Sequence, residues 1–579
     1  TAYEIMPSLV GSEMCIRDSY ITSKFKHLSE SMIHSLSLLL SEGDPETKYS
    51  TILVIGTIFR NSNEKRVIAM LRPYLQDRDS RIKLVAIKAL GDVFYRSENK
   101  KALKILKDLL EKSEPDIRNS IDTTTKRISP KTLILDEMSP YLRGSNIYVR
   151  KAAAIGLGLT FQSTGKKQIQ KMLQPLIKHD IWTLRDAAAI SLGLVFKDAG
   201  KRAFKIFQPL FNDSVSTVRL SAFLGLGLAL RGIGNRAIEI LRPLLKIDES
   251  AWGEIRDGAA MCLGFAFQNF DKETALNILL SLIRSRDVYI RRGGTLGLGF
   301  CFQDTHEKEI FETLQQQLKD PNEYVQHSAV FSLGLIYRGT KNPELLNLFK
   351  PLITEDTSYI RYMYRGALLG LGLAYQNTGD SNVFEFLYSL IKKSGCSQYI
   401  AWCMGLLFQG TGNKSLEYLS PLVEHPNSNM RACAALALGL ASQGTGDEEI
   451  IDLLQQLLSD ESIGVRCMAA LGLGFGLQGT GDDTIIKALK PLLKKPDPYI
   501  CWHATRGLAL GFQNTGDIGF DLLKPLTKHP DEYVRKTAIL GQFLAFRDTK
   551  HTSKYSINFG VLYYAVTSWW HEELFMIWL

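Results

Sequence analysis

The chain has 579 residues, 45% of them hydrophobic and 22% charged, which excludes a disordered polymer, a collagen and a disulfide mini-protein. No apolar run reaches the roughly 18 residues that a membrane-spanning helix needs, and the longest glycine-leucine stretches, such as Ala222 to Leu230, are about half that length. Sixty-nine Lys and Arg against 60 Asp and Glu leave +9, too little over so long a chain to imply nucleic acid.

From the amino end, Tyr3 to Ser19 (YEIMPSLVGSEMCIRDS) has neither helical periodicity nor the basic, apolar and small order of a signal peptide. It resembles translated sequencing-adaptor read-through, so residues 1–19, with Cys15, are set aside. Residues 20–42 read as a leading helix and 43–151 as weaker helical repeats. Between Arg60 and Lys112 stand 14 Lys/Arg against 7 Asp/Glu. Within that segment Lys100, Lys101, Lys104 and Lys107, spaced by three and four, fall mostly along one side of a helix beginning after Asn99. They are the candidate partner-binding residues, for an acidic protein surface; the plainer alternative is a solvated helix face.

From 152 to 550 one phrase recurs: GLGLTFQSTGK from Gly156, GLGLALRGIGN from Gly225, GLGLAYQNTGD from Gly370, GLLFQGTGN from Gly405 and GLGFGLQGTGD from Gly472. Equivalent small positions run from Gly158 through Gly193, Gly227, Gly264, Gly299, Gly334, Gly372, Gly405, Gly439 and Gly474 to Ala509, eleven strong units. Weaker echoes at Gly56, Gly91, near Thr125 and at Phe543 extend the register. The 487 residues from Gly56 to Phe543 make fourteen steps of about 35 residues, the period of helix-turn-helix solenoids.

Each unit reads as two helices. Arg431 to Ser442 (RACAALALGLAS) is apolar or small almost all round and predicts a first helix buried on every side. The glycines at Gly379, Gly412, Gly446, Gly481 and Gly516 are expected to stop it in a left-handed cap, with Asp or Asn starting the next helix. The second helix is amphipathic: Ile450, Ile451, Leu453, Leu454, Leu457 and Leu458 leave one polar face, which predicts an outer layer. Prolines late in it, at Pro73, Pro175, Pro209, Pro243, Pro351, Pro421, Pro491 and Pro525, predict a repeated kink that curves the stack. A turn then brings Asp213 with Arg219, Asp287 with Arg291, Asp356 with Arg361, Asp460 with Arg466 and Asp531 with Arg535, an expected inter-unit ladder that Gln326 and Cys501 interrupt.

Chemistry is sparse along this chain. Cys262, Cys301, Cys433 and Cys467 fall in apolar helical runs and read as small buried hydrophobes of a reducing, cytoplasmic setting. Cys396 and Cys403 lack the histidines of a zinc site. His-Glu pairs occur only at His306-Glu307 and His571-Glu572, whereas an iron hydroxylase needs several, and His179, His425 and His529 share one inter-unit turn. No catalytic, cofactor-binding or metal-binding residue is assigned. Residues 551–579 leave the register, with Trp569, Trp570 and Trp578 in eleven residues, and receive no function.

Two helices per unit, the period near 35, the Gly-Leu-Gly-Leu helix and the Gly-Thr-Gly-Asp turn together resemble the proteasome/cyclosome repeat. This is a variant of the HEAT-type repeat found in the two largest non-ATPase subunits of the proteasome regulatory particle and the largest anaphase-promoting-complex subunit. The resemblance runs from Leu53 to Thr549 and is strongest from Ala152 to Gly516. It implies a non-enzymatic scaffold that binds other proteins, proteasome or ubiquitin-like components among them, with no cofactor, and a ring of two concentric helix layers. No segment matches the long helical arms that flank the family's ring. The expected fold is thus an all-α solenoid of HEAT/ARM type, an open superhelix or, as the alternative, a closed toroid. The rival function is a HEAT-fold enzyme of the metal hydroxylase, lyase or nucleic-acid glycosylase type.

Overall fold

A computed structural model of the chain describes residues 30–546, apart from most of 111–138 and short stretches that include 197–200, 247–252, 355–360, 395–397 and 444–445. The segment 1–19, the start of the leading helix, the unit near Thr125, Gly412, Asp356 and the tail 551–579 with its tryptophans and His571 lie outside the described residues. All regular structure among the described residues is helical, and the chain divides into two units, Thr1–Glu137 and Met138–Leu579.

In the first unit, α1 (Glu30–Glu42), α2 (Pro45–Ile58), α3 (Arg66–Leu71), α4 (Ser80–Val93) and α5 (Lys100–Leu110) enclose a core that includes Ile52, Ile55, Val67, Leu71, Ile87, Leu90 and Leu106. Asp44 and Asp79 start α2 and α4 by accepting from the backbone amides of Thr47 and Arg81 at 2.7 and 2.8 Å, which satisfies donors that a helix start leaves open.

The second unit has two layers. Its inner helices are α6 (Ile147–Thr160), α8 (Trp182–Val195), α10 (Ser216–Ala229), α12 (Gly253–Ala266), α14 (Val288–Cys301), α16 (Glu323–Ile336), α18 (Arg361–Ala374), α20 (Gln398–Phe408), α22 (Ser428–Ala441), α24 (Ile463–Gly476), α26 (Pro498–Gly511) and α28 (Glu532–Ala545). Between them, in chain order, run the outer helices α7 (Lys167–Ile177), α9 (Lys201–Phe207), α11 (Arg236–Leu245), α13 (Lys272–Ile283), α15 (Lys308–Gln317), α17 (Pro343–Thr354), α19 (Ser381–Ser394), α21 (Asn413–Val423), α23 (Glu448–Leu457), α25 (Asp483–Leu489) and α27 (Asp517–Leu523). Every inner helix packs on the next, and the last, α28, packs on the first, α6. The open superhelix is therefore corrected: among the described residues this unit is a closed ring of twelve inner helices, because rotations from unit to unit accumulate along a repeat.

Glycine makes the inner layer this tight. A Cβ on Gly334 would lie 2.6 Å from the Cα of Gly370, and one on Gly474 2.5 Å from that of Gly507, so backbone meets backbone with no room for a methyl group. The inner helices pay for this close contact in intrinsic propensity, about 1 kcal/mol per glycine. Burial then extends all round: from Ala152 to Phe161 every residue of α6 and its end is buried. The rings of Trp402 in α20 and Phe475 in α24 meet at 5.7 Å past the intervening α22. The outer helices are amphipathic as expected, α23 burying Ile450, Ile451, Leu454 and Leu457.

The recurrent turn works differently from the reading of its glycine as a helix stop. Helix α24 ends at Gly476, and the phrase Gly479-Thr480-Gly481-Asp482 follows it. Gly479 and Gly481 have φ of +70° and +64°, the left-handed region that glycine tolerates. Their amides donate to the carbonyls of Leu510 and Gly511, at 3.1 and 3.0 Å, and so cap the end of α26 in the next unit. Thr480 Oγ1 bonds back to Leu477 O at 2.9 Å, and Asp482 starts α25 by accepting from Thr484 N at 2.8 Å. Beside this turn the side-chain amides of Gln376, Gln409, Gln443 and Gln478 each donate to the amide oxygen of the next glutamine, ending at Gln513, at 2.5 Å for the first pair and 2.8 Å for the last.

Two further expectations change. Pro175, Pro243, Pro351 and Pro421 lie inside outer α-helices, but Pro73 and Pro491 precede 3₁₀ turns and Pro209 and Pro525 lie within them, because the missing N–H ends the i→i−4 ladder there. In the ladder, the carboxylate of Asp213 pairs with Arg185 of the preceding unit at 2.5 Å, while Arg219 of its own unit takes the Asp213 carbonyl at 2.5 Å. Arg431 with Asp460 and Arg256 with Asp287 repeat the inter-unit pair at 2.6 and 2.7 Å. Where the arginine is missing, Gln326 Nε2 reaches Asp320 O at 2.7 Å and Cys501 Sγ reaches Lys495 O at 3.2 Å, so the turn keeps its donor.

Candidate functional site

The helix expected after Asn99 is α5, and Asn99 Oδ1 caps it by accepting from the amides of Lys101 and Ala102, both at 3.1 Å. Ala102 and Leu106 are buried in the first unit's core, which turns Lys101, Lys104 and Lys107 outward, all exposed. The side chain of Lys100 lies outside the described residues. The cationic face is thus present and solvated, and it sits on a helix anchored by a cap and an apolar stripe.

In the ring, the seam between α28 and α6 is held by side chains and main chain of both helices. Thr160 Oγ1 donates to Phe543 O at 3.2 Å, Tyr141 Oη lies 3.3 Å from Thr527 Oγ1, and the Phe543 ring fills the place where a Cβ on Gly156 would project. Tyr148 and Tyr533 meet at 6.0 Å between centroids. The buried Lys536 sets its ammonium 4.4 Å from the Tyr533 ring centre and 5.8 Å from those of Tyr148 and Trp502. Such contacts are worth more as the cation is desolvated.

A second polar tier runs through the inner helices. Ser221 Oγ donates to the buried Asp186 at 2.5 Å, and one Asp257 carboxylate oxygen takes the Arg292 guanidinium, both groups buried. Burial pushes the Asp257 carboxyl up to about 6 despite Arg292, and pushes the His327 imidazole down to about 4 and that of His503 to about 3. These charged and polar groups are enclosed by helix packing, and a Cβ on Gly366 would collide with the His327 ring.

Groups suited to catalysis are used structurally. His179, His425 and His529 accept at Nδ1 from the amides of Ile181, Asn427 and Asp531, at 3.1, 3.0 and 3.1 Å, each tightening the same turn. His306 stands in a left-handed turn at φ +59°, and its neighbour Glu307 lies 3.5 Å from Lys272. Among the described residues no group of three His, Cys, Asp or Glu could hold a metal ion. Burial raises the Cys301 and Cys467 thiols to about 12 and those of Cys262 and Cys403 further, which keeps them protonated and poor nucleophiles. Cys433, read as one more small hydrophobe, is instead paired in a disulfide whose partner lies outside the described residues. A groove of about 680 Å³ between α23 and α26 contains Arg466 and Asp497. Both are committed to backbone: Arg466 to the carbonyls of Asp460 and Glu461 at 2.6 and 3.1 Å, Asp497 to the amide of Tyr499 at 2.8 Å. No described helix is long and apolar enough to cross a membrane.

The family described as HEAT repeats matches residues 34–122, 135–227 and 416–509. The chain is 32% identical over 94 residues to the 26S proteasome non-ATPase regulatory subunit 1 of Caenorhabditis elegans, covering 16% of this chain and 10% of that protein. It is 31% identical over 100 residues to the 26S proteasome regulatory subunit RPN2 of Eremothecium gossypii, covering 17% of this chain and 11% of that protein. The matched segments therefore span about a tenth of these curated relatives. Among solved structures, Kap121p aligns with a TM-score of 0.34 at 14% identity over 94% of this chain and 69% of that one. Paired helices at a fixed period, with segments in both units that match HEAT repeats, give the chain an all-α HEAT-type repeat architecture, and about a hundred of its residues are similar in sequence to the large non-ATPase proteasome subunits.

Proposed function

We propose that this chain is a non-enzymatic scaffold that binds other proteins, in the manner of the proteasome regulatory particle's large subunits, in the cytoplasm. The observation that carries the reading is the ring itself: twelve inner helices pack on one another and bury most of their length, so eleven outer helices, two rims of turns and the starts of the inner helices are left as surface. A repeat stack of this kind offers a broad rigid face, and function on it resides in sites placed along that face. The polar groups inside are committed to packing, which supports binding over chemistry. Affinity capture of the full chain from its source cells tests the reading: proteasomal subunits among the partners are expected, and a stoichiometric bound metal with no protein partner would overturn it.

The lysine face of α5 is part of the same proposal. Lys101, Lys104 and Lys107, with Lys100 beside them in sequence, serve as a docking surface for an acidic protein. Reversal of all four charges is expected to abolish capture of that partner and leave the circular dichroism spectrum unchanged, because exposed lysines contribute little to folding. Unchanged capture would return α5 to a plain solvated face.

A further inference from the structure

Twelve large apolar or aromatic side chains among the described residues are exposed, and eight of them occupy the first or second position of an inner helix. They therefore concentrate on one rim of the ring, the rim where the inner helices begin. Four fall on consecutive inner helices across the seam: Tyr499 on α26 (53% exposed), Tyr533 on α28 (40%), Tyr148 on α6 (40%) and Trp182 on α8 (37%). Helix formation does not require them, since Asn429 and Gly464 hold the same second position in α22 and α24. We propose that this seam-spanning aromatic arc is a docking surface for an acidic, extended segment of a partner protein carrying apolar anchor side chains; the proposal rests on the scaffold reading above.

Rigidity is one support. Tyr499 lies against Trp502 and His503 at 5.6 and 4.7 Å between centroids, Trp502 against Tyr533 at 5.6 Å, and Trp502 Nε1 donates to Thr537 Oγ1 at 3.0 Å. Rings held in this way lose little freedom on binding, and tyrosine and tryptophan are the side chains that dominate protein interfaces.

Charge names the occupant. The four rim segments 143–151, 178–186, 494–506 and 528–536 carry eleven Lys/Arg against five Asp/Glu. Lys178, Lys494, Lys495 and Lys528 are exposed there, Lys536 and Arg506 lie beneath the rings, and the positive ends of the inner helices point the same way. An acidic segment meets this field favourably, and steering of that kind is weakened by salt. A single nucleic-acid strand is the lesser fit: it carries a phosphate at every nucleotide and sets one against Asp180, Asp497, Asp531 or Glu532 on three of the four rungs, whereas a peptide can place an apolar anchor beside those carboxylates and its acidic residues beside the lysines.

The test uses the full chain and three labelled probes in fluorescence anisotropy: a peptide of Pro-Glu-Leu-Glu repeats, the same peptide with Lys for Glu, and an oligouridine of matching length. The acidic peptide is expected to bind, to weaken with salt, and to lose at least tenfold in affinity with Tyr148→Ser and Tyr533→Ser together, while Tyr289→Ser with Tyr324→Ser on the same rim leaves binding unchanged. If the tyrosine pair disturbs folding, Lys494→Glu with Lys528→Glu gives the same readout without touching a ring. Preference for the basic peptide or for oligouridine, or undiminished binding by the arc variants, would overturn the proposal. Undiminished capture of cellular partners by the arc variants would overturn the arc and leave the scaffold reading standing.

Discussion

Thr160 Oγ1 donates to the main-chain carbonyl of Phe543, 3.2 Å away and 383 residues along the chain, and that bond lies where the solenoid meets its own beginning. The seam holds because Gly156 leaves the Phe543 ring its place on α6. Gly156→Val puts branched carbon into that ring, and the ring of helices is expected to open. Small-angle scattering should then show a larger radius of gyration at unchanged helicity; an unchanged radius would mean that closure does not depend on this contact.

Along the inner layer, glycine substitutions are expected to split by position. A Cβ on Gly439 would collide with the backbone of Gly472, so Gly439→Ala should cost about 1–3 kcal/mol in chemical denaturation despite alanine's better helix propensity. Gly464, at the start of α24, has only Ser462 Oγ within 4 Å of that place, at 3.7 Å, so Gly464→Ala should be neutral or stabilising by up to about 1 kcal/mol.

Rungs of the ladder should matter far more than surface ion pairs. Arg291 pairs with Asp320 at 2.8 Å and donates to the carbonyls of Ser285 and Arg286 at 3.2 and 3.0 Å, with the Asp320 side chain 7% exposed. Arg291→Ala strands a nearly buried carboxylate and is expected to cost about 2–3 kcal/mol. Lys308→Ala, which breaks an exposed pair with Glu312 at 3.8 Å, should stay within about 0.5 kcal/mol. Equal melting temperatures for the two variants would contradict the structural role of the rung.

The acid limb of stability should report the buried histidines. Burial holds His503 near 3, below its unfolded value of 6.5, so its contribution is fully present above 6.5 and lost as pH falls toward 3. His503→Gln should therefore flatten the fall in unfolding free energy between pH 6 and 4 by about 1.4 kcal/mol per pH unit. Asp257, raised to about 6, works in the opposite direction over part of this window, so the comparison is between variant and parent at each pH. Parallel curves for the two proteins would show that His503 does not resist protonation.

Much of the fold was legible in residue order. The Gly-Leu-Gly phrase and the amphipathic helices that follow it marked buried and outer layers without reference to contacts, because helical periodicity exposes its buried face directly. The start of α5 after Asn99 was readable for the same reason, being local. The aromatic arc went unread, although the signal was there: Asn146, Asp497 and Asp531 each stand two residues before a tyrosine at a helix start. A tyrosine two residues after a cap looks like any partly buried aromatic until the solvent beside it is known.

What the sequence by itself determined is everything set within about 35 residues: two helices per unit, their burial pattern, and the glycines that allow φ near +65° in the turn. Tertiary structure alone decided what those features serve. The amides of Gly479 and Gly481 cap α26 and not their own helix, Asp213 pairs with the arginine of the preceding unit, and α28 returns to α6. Each is a relation between units, and closure depends on a small rotation summed over twelve of them, a quantity that no single repeat encodes in its own residues.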